Sequence, residues 1–186
     1  MDIQILGYKV RIRNVVSSFN LRENINLFEF HHLFPESIFD KATFNYGVVV
    51  LRIQEPKMSF LIYRTGKVIS TGSNSIEASK KASDTFLKIS KKRGLNFSML
   101  SEDGIQNIVA VFDIQKSLDL FVISQQIEGV VYEPEQFPGA IMSVDLNKAK
   151  AKFLVFTSGK IVLVGIKEIK DMEIAIDRFL NKIRRT

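Results

Sequence analysis

The side chains able to do chemistry are few, and their spacing argues against catalysis. His31 and His32 are adjacent on an expected helix, so their rings point apart and cannot share a metal ion. There is no cysteine, which removes disulfides, thiolate metal sites and a thiol nucleophile. Glu133 and Glu135 flank Pro134 without a supporting His, Cys or Asp cluster, and read as a turn presenting carboxylates to a basic partner. Gly159-Lys160 would suit a phosphate loop, but the further glycines and the strand-to-helix context of such a loop are missing. No Ser-His-Asp set can be assembled. The chain is expected to be no enzyme and to need no cofactor or metal. What remains is charge: 26 Lys and Arg against 20 Asp and Glu give a net +6. The sequence pI is about 9.5, the electrostatic footprint a polyanion binder requires. The densest cluster, Lys88, Lys91, Lys92 and Arg93, falls at an expected helix C-terminus, where cations also suit the helix dipole, and reads as a solvated, capped end.

The elements that position these residues come in two copies. Asn14-Val15-Val16-Ser17-Ser18-Phe19 reads as a strand and returns as Asn107-Ile108-Val109-Ala110-Val111-Phe112, 93 residues later (107 − 14). The helical starts Asn26-Leu27-Phe28 and Asp119-Leu120-Phe121 keep that offset, and so do Gly66-Lys67 and Gly159-Lys160. Two copies at so long a period mean a duplicated unit and not a solenoid. Within each copy, strand runs are separated by turns such as Gln54-Glu55-Pro56-Lys57, Arg64-Thr65-Gly66 and Thr157-Ser158-Gly159. Each copy closes with an amphipathic helix. Ala82, Phe86 and Ile89 mark the first apolar face, and Ile169, Met172, Ile176, Phe179 and Ile183 the second. Asn74 or Ser75 can cap the first of these helices and Gly94 can end it. The expected class is α+β, with helices layered on one sheet face. At 186 residues, 46% hydrophobic and 25% charged, the composition is that of an ordinary globular protein. Met1-Asp2-Ile3-Gln4 lacks the features of a signal peptide and no apolar run reaches membrane-helix length, so an intracellular location is expected.

Alternation across strands gives the composition of each face. Lys150, Lys152, Leu154 and Phe156 share a face with Lys160 and Val162; in the first copy these positions hold Ser59, Leu61 and Tyr63, then Lys67, Ile69 and Thr71. Phe60, Ile62, Phe153 and Val155 fall on the other face, expected beneath the helices. Both faces are apolar, so the uncovered one must meet something other than water.

Together these motifs resemble the TATA-box-binding protein family over nearly the whole chain. They are the paired Asn-[Val/Ile]-Val at 14 and 107, Arg52-Ile53-Gln54-Glu55-Pro56-Lys57, the stretch from Tyr132 to Gly139, and Ser158-Gly159-Lys160-Ile161-Val162. The resemblance implies a saddle of two pseudo-symmetric repeats, 1–97 and 98–186, with a long curved antiparallel sheet and four helices on its convex face. It also implies binding in the DNA minor groove. Asn14 and Asn107 would donate to the purine N3 and thymine O2 acceptors. Val16, Val109, Ile69 and Val162, with Leu61 and Leu154 beside them, would lie on the groove floor, where a guanine amino group would clash or lose its partners. The family's wedge positions fall on Tyr46 and Tyr63 and on Phe137 and Phe156, residues that pattern alone would assign to the core. Arg52, Lys67, Thr71, Lys152 and Lys160 complete the implied DNA-binding set.

Departures from the family pattern carry expectations of their own. Tyrosine at the first wedge pair must find a partner for its hydroxyl or keep it wet, since an unpaired one costs about 1–3 kcal/mol, so the first-half kink is expected to be weaker or shifted. Ser143 stands opposite Arg52 and Val164 opposite Thr71, which thins the phosphate contacts of the second copy. Its Asp145-Leu146-Asn147-Lys148 turn is two residues longer, and Lys150 and Lys152 are expected to recover the lost contacts.

On the protein side, the resemblance gives Glu133, Glu135 and Gln136 to a general transcription factor B homologue, and adds an RNA polymerase complex as a further partner. The first-copy stretch Asp40-Lys41-Ala42-Thr43-Phe44 has diverged, and factor A contacts are not carried over to it. The function implied is a general transcription initiation factor that binds and bends A·T-rich promoter DNA. Two alternatives stand beside it: an architectural minor-groove binder with little TATA preference, and an interaction module that sequesters a transcription factor without DNA. Archaeal and viral members would be short like this chain, and the basic pI with the drifted positions leans toward a divergent, viral lineage. The corresponding locations are the cytoplasm if archaeal, the nucleus if eukaryotic, and a host nucleus or viral factory if viral.

Overall fold

The computed structural model describes residues 1–40, 47–146 and 150–184. In chain order the elements are β1 (Asp2–Ile5), β2 (Tyr8–Leu21), α1 (Leu27–Leu33), β3 (Ile38–Asp40), β4 (Val48–Gln54), β5 (Lys57–Ile62) and β6 (Lys67–Ser73). Then follow α2 (Ile76–Lys80), α3 (Ala82–Lys92), β7 (Met99–Asp113), α4 (Leu120–Gln126), β8 (Ala140–Asp145), β9 (Lys150–Val155), β10 (Lys160–Ile166) and α5 (Ile169–Ile183). The 93-residue offset is kept by α1 and α4, by β5 and β9, and by β6 and β10. It also reaches the helix caps: Asn26 accepts the N–H groups of Phe28 and Glu29, and Asp119 those of Phe121 and Val122.

Two compact units result, one of Asn14–Gln106 and the other of Met1–Arg13 with Asn107–Thr186. The long strands β2 and β7 each give residues to both. In the first unit the strand order is β3-β4-β5-β6-β2-β7, with α1, α2 and α3 covering one face. Phe60, Ile62 and Val68 point under the helices and are fully buried. Phe86 of α3 meets Phe19 at 5.6 Å, Phe60 at 5.3 Å and Phe30 at 6.0 Å between ring centroids. Each such ring contributes roughly 1.5–3 kcal/mol by leaving water.

The other unit orders β7-β10-β9-β8 beyond β2, with β1 paired to β2 alone. Its core stacks Phe153 on Phe179 of α5 at 4.3 Å, with Phe112 edge-on to Phe179 at 6.1 Å. The buried stripe of α5 is Met172, Ala175, Ile176, Phe179 and Leu180. Ile169 leaves the expected stripe, with 40% of its surface exposed. It is the first residue of the helix and has no preceding turn to pack over.

The helix after β6 differs from expectation. Ser75 caps it as read from sequence, but it is divided at Lys81, which gives five helical segments among the described residues where four were implied. Just before the break, the Ser17 hydroxyl donates to the Ser79 carbonyl at 3.0 Å, tying this helix to β2. At the far end of α3, Arg93 is not merely solvated. Its guanidinium donates to the Leu33 carbonyl (2.8 Å), pairs with Glu36 (3.0 Å) and lies over the Phe34 ring.

Candidate nucleic-acid interface

The face turned away from the helices carries matching rows of side chains in the two units. In the first, Val50, Leu61, Ile69 and Ser18 are successive strand partners, and Arg52, Ser59 and Thr71 form the row beside them. In the second, Ile141, Leu154, Val162 and Val111 are successive partners, next to Ser143, Lys152 and Val164. Leu61, Ile69, Leu154 and Val162 are half-buried, as are Val16 and Val109 on β2 and β7. Their sequence neighbours Phe60, Val68, Phe153 and Ile161 are fully buried on the helix side, which is the alternation a sheet with one covered face requires. An apolar row thus stays open in each unit.

Asn14 and Asn107 have their amides oriented by a device that sequence reasoning missed. The Asn14 Oδ1 accepts the Gly72 N–H at 2.8 Å, and the Asn107 Oδ1 accepts the Gly165 N–H at 2.8 Å. Only the oxygen of an amide can accept an N–H, so in both residues the NH2 must face away from the glycine. In the first unit it donates to Thr71 Oγ1 at 3.1 Å; in the second, where Val164 replaces that threonine, the Asn107 NH2 has no partner among the described residues. Both glycines have positive φ (+85° and +86°), and a Cβ on Gly165 would lie 2.7 Å from the Lys150 carbonyl oxygen. The register of β6 and of β10 shifts beside these glycines, which swings the N–H toward the asparagine. The signal was present in the sequence as Gly72 and Gly165, each six residues after Gly66 and Gly159.

The structure brings Phe137 and Phe156 together, with centroids 5.8 Å apart at 64°. Both rings close over Gly139, where an added Cβ would lie 2.8 Å from Phe137 Cε1 and 3.2 Å from Phe156 Cε1. Each ring is half-buried, which leaves part of it available to a ligand. Tyr63 occupies the position of Phe156 in the same tight turn, its N–H donating to the Lys67 carbonyl as that of Phe156 does to Lys160. Tyr46 and the stretch from Lys41 to Phe44 lie outside the described residues.

Arg52, Lys67, Lys152 and Lys160 are exposed, with no ion-pair partner among the described residues. Lys150 shares the face of Lys152, but its ammonium is 3.3 Å from Asp145, so half of the expected compensation for Ser143 is already engaged. Sequence reasoning also missed a polar group at the end of the first unit's row: Ser18 donates to Asp103 at 2.8 Å and Asn20 donates to the same carboxylate at 3.1 Å. Glu133, Glu135 and Gln136 lie exposed in a turn closed by the Gln136 and Phe137 N–H groups on the Glu133 carbonyl. Among the described residues, no cluster of three or more His, Cys, Asp or Glu could hold a metal ion, and no helix is long and apolar enough to cross a membrane. His31 turns its ring nitrogen to Ser37 while His32 is exposed.

The family model described as transcription factor TFIID (or TATA-binding protein, TBP) matches residues 9–92 and 104–186. A TATA-box-binding protein of Archaeoglobus fulgidus is 36% identical over 179 residues, covering 95% of this chain and 96% of that one. One from Methanocaldococcus jannaschii is 34% identical over 182 residues, covering 98% and 97%. The solved structure of Methanococcus jannaschii TBP superposes with a TM-score of 0.80 at 34% identity, over 95% of this chain and 99% of that one.

Proposed function

Because the chain belongs to the TATA-box-binding protein family, a family of transcription initiation factors, we propose that it binds A·T-rich promoter DNA through the minor groove and bends it. The observation that carries this reading is the pair of asparagines whose oxygens are held by Gly72 and Gly165 N–H groups, each in a unit that keeps an apolar row open. An A·T-rich minor groove offers mainly acceptors, and an amide held with its NH2 outward answers them with donors. Val16, Ile69, Val109 and Val162 supply no hydrogen-bond partner for a guanine amino group, so a G·C pair there would lose its hydration without compensation.

Phe137 and Phe156 are proposed to enter a base step as an apolar wedge, with Tyr63 and Tyr46 as the equivalent pair in the repeat 1–97; TATA-box-binding proteins are themselves the standard illustration of this mode. Arg52, Lys67, Lys152 and Lys160 would hold backbone phosphates and make the affinity strongly salt-dependent. The exposed Glu133, Glu135 and Gln136 of the repeat 98–186 are proposed to meet a basic surface of a general transcription factor B homologue, through which an RNA polymerase is recruited. No enzymatic activity is proposed.

The test is fluorescence anisotropy on a TATA-containing duplex and on a G·C-rich duplex of equal length, across a salt series. Tight binding to the first and much weaker binding to the second is expected. Equal, steeply salt-dependent binding to both would replace this reading with an architectural one, and no binding at moderate salt would leave a DNA-independent interaction module.

A further inference from the structure

We propose that the N-terminal hairpin builds an additional binding site for DNA backbone phosphate beside Lys160, an inference that rests on the DNA-binding reading above. Residues 1–8 precede the segment matched by the family model, which begins at residue 9. They nonetheless form ordered structure: β1 pairs with the start of β2, placing Asp2 across from Arg11 and Gln4 across from Lys9. A cleft of about 480 Å³ opens there, lined among others by Gln4, Lys9, Arg11, Val111, Gln115 and Lys160. Val111 is the last member of the open apolar row of this unit, so the cleft continues the candidate DNA face.

The charges in the cleft favour an anion with two or more oxygens. Lys160 has no ion-pair partner among the described residues. Lys9 and Arg11 share one carboxylate: Asp2 Oδ2 lies 2.9 Å from Lys9 Nζ, and Asp2 Oδ1 lies 3.2 Å from Arg11 Nε. One oxygen to each cation is the arrangement two non-bridging oxygens of a phosphodiester would adopt. The remaining acid, Asp113, also lines the cleft and accepts the Gln115 N–H at 2.7 Å. The Asp2 side chain is 38% exposed, so water and a phosphate can reach its ion pairs, while Lys9 and Arg11 are 60% and 53% exposed and can follow a phosphate. Asp2 thus holds the place of the phosphate and lowers the affinity of the site for it.

Three proteins distinguish this from a hairpin lock of purely structural role: the wild type, Asp2→Asn, and Lys9→Gln with Arg11→Gln. Each is titrated with a TATA-containing duplex by anisotropy across a salt series, with a thermal melt as the folding control. Both variants break the same ion pairs but leave opposite charge behind. Asp2→Asn is expected to bind severalfold tighter with a steeper salt dependence; the double variant is expected to bind more weakly, with a slope shallower by about one to two. Unchanged binding in both variants, or equal weakening in both, overturns the inference while leaving the DNA-binding reading intact. A wild type without DNA affinity overturns both.

Discussion

Asn107→Asp separates the two jobs given to that side chain. The carboxylate is nearly isosteric with the amide and can still accept the Gly165 N–H, at 2.8 Å in the parent chain, so the bulge in β10 keeps its anchor. What changes is the other side: an NH2 donor with no partner among the described residues becomes an acceptor facing the purine N3 and thymine O2 acceptors of the groove. A buried acceptor left without its donor costs about 2–3 kcal/mol, which at 1.4 kcal/mol per decade is about 30- to 140-fold in Kd. The assay is a paired one, anisotropy on a TATA-containing duplex and a thermal melt of the free protein. The expected result is a melt unchanged to within a few degrees together with the full loss of affinity. Wild-type affinity in Asn107→Asp would refute the donor role; an equal loss of melting temperature and affinity would refute the orientation inferred from Gly165. Asn14→Asp should behave less simply, because Thr71 Oγ1 already takes the Asn14 amide and can donate to a carboxylate there.

Phe156→Ala should leave the fold stable, since the ring is only half-buried, but should reduce the DNA bend on that side, read as a longer end-to-end distance by energy transfer between duplex ends; an unchanged distance refutes the wedge assignment. Lys152→Ala is expected to lower the salt slope by about one, and Lys150→Ala by less, because Asp145 already holds the Lys150 ammonium; equal losses would show that this ion pair opens freely on DNA. The Lys9 hydrogen bond first, and then that of Arg11, hold the Asp2 carboxyl below its usual value of 3.8. A lowered carboxyl stabilises the folded state above the unfolded value and ceases to do so as pH falls through the lowered one. Hydrogen exchange of β1 amides should therefore show protection lost below about pH 4 in the wild type, and a flatter profile in Asp2→Asn.

The duplication, the strand and helix order and the two sheet faces were legible in the residues because each is local or periodic. The 93-residue offset linking Asn14 to Asn107 and Gly66 to Gly159 recurs in β6 and β10 and in the caps Asn26 and Asp119. Alternation placed Leu61 and Leu154 on the open face and Phe60 and Phe153 beneath the helices, as observed, because strand geometry permits no other choice once one residue is fixed. The limits appear where a side chain has a choice of partner. Lys150 and Lys152 are alike in sequence, yet one meets Asp145 and the other has no ion-pair partner among the described residues. Arg93 sat in a lysine-rich run that pattern reads as solvent-facing, and folding brings Leu33, Phe34 and Glu36 to it from across the helix layer.

By itself, then, the sequence determined which residues share a face, since period and propensity act over a few positions and survive in any context. Only the tertiary structure decided what those residues do there. A register shift beside Gly72 and Gly165 aims two asparagine amides, a Ser17 hydroxyl reaches the Ser79 carbonyl, and Asp2 occupies Lys9 and Arg11. Most of these pairings join residues tens of positions apart, and hydrogen bonds and ion pairs are decided within a few tenths of an ångström. That precision comes from strand register and packing, which no stretch of sequence contains.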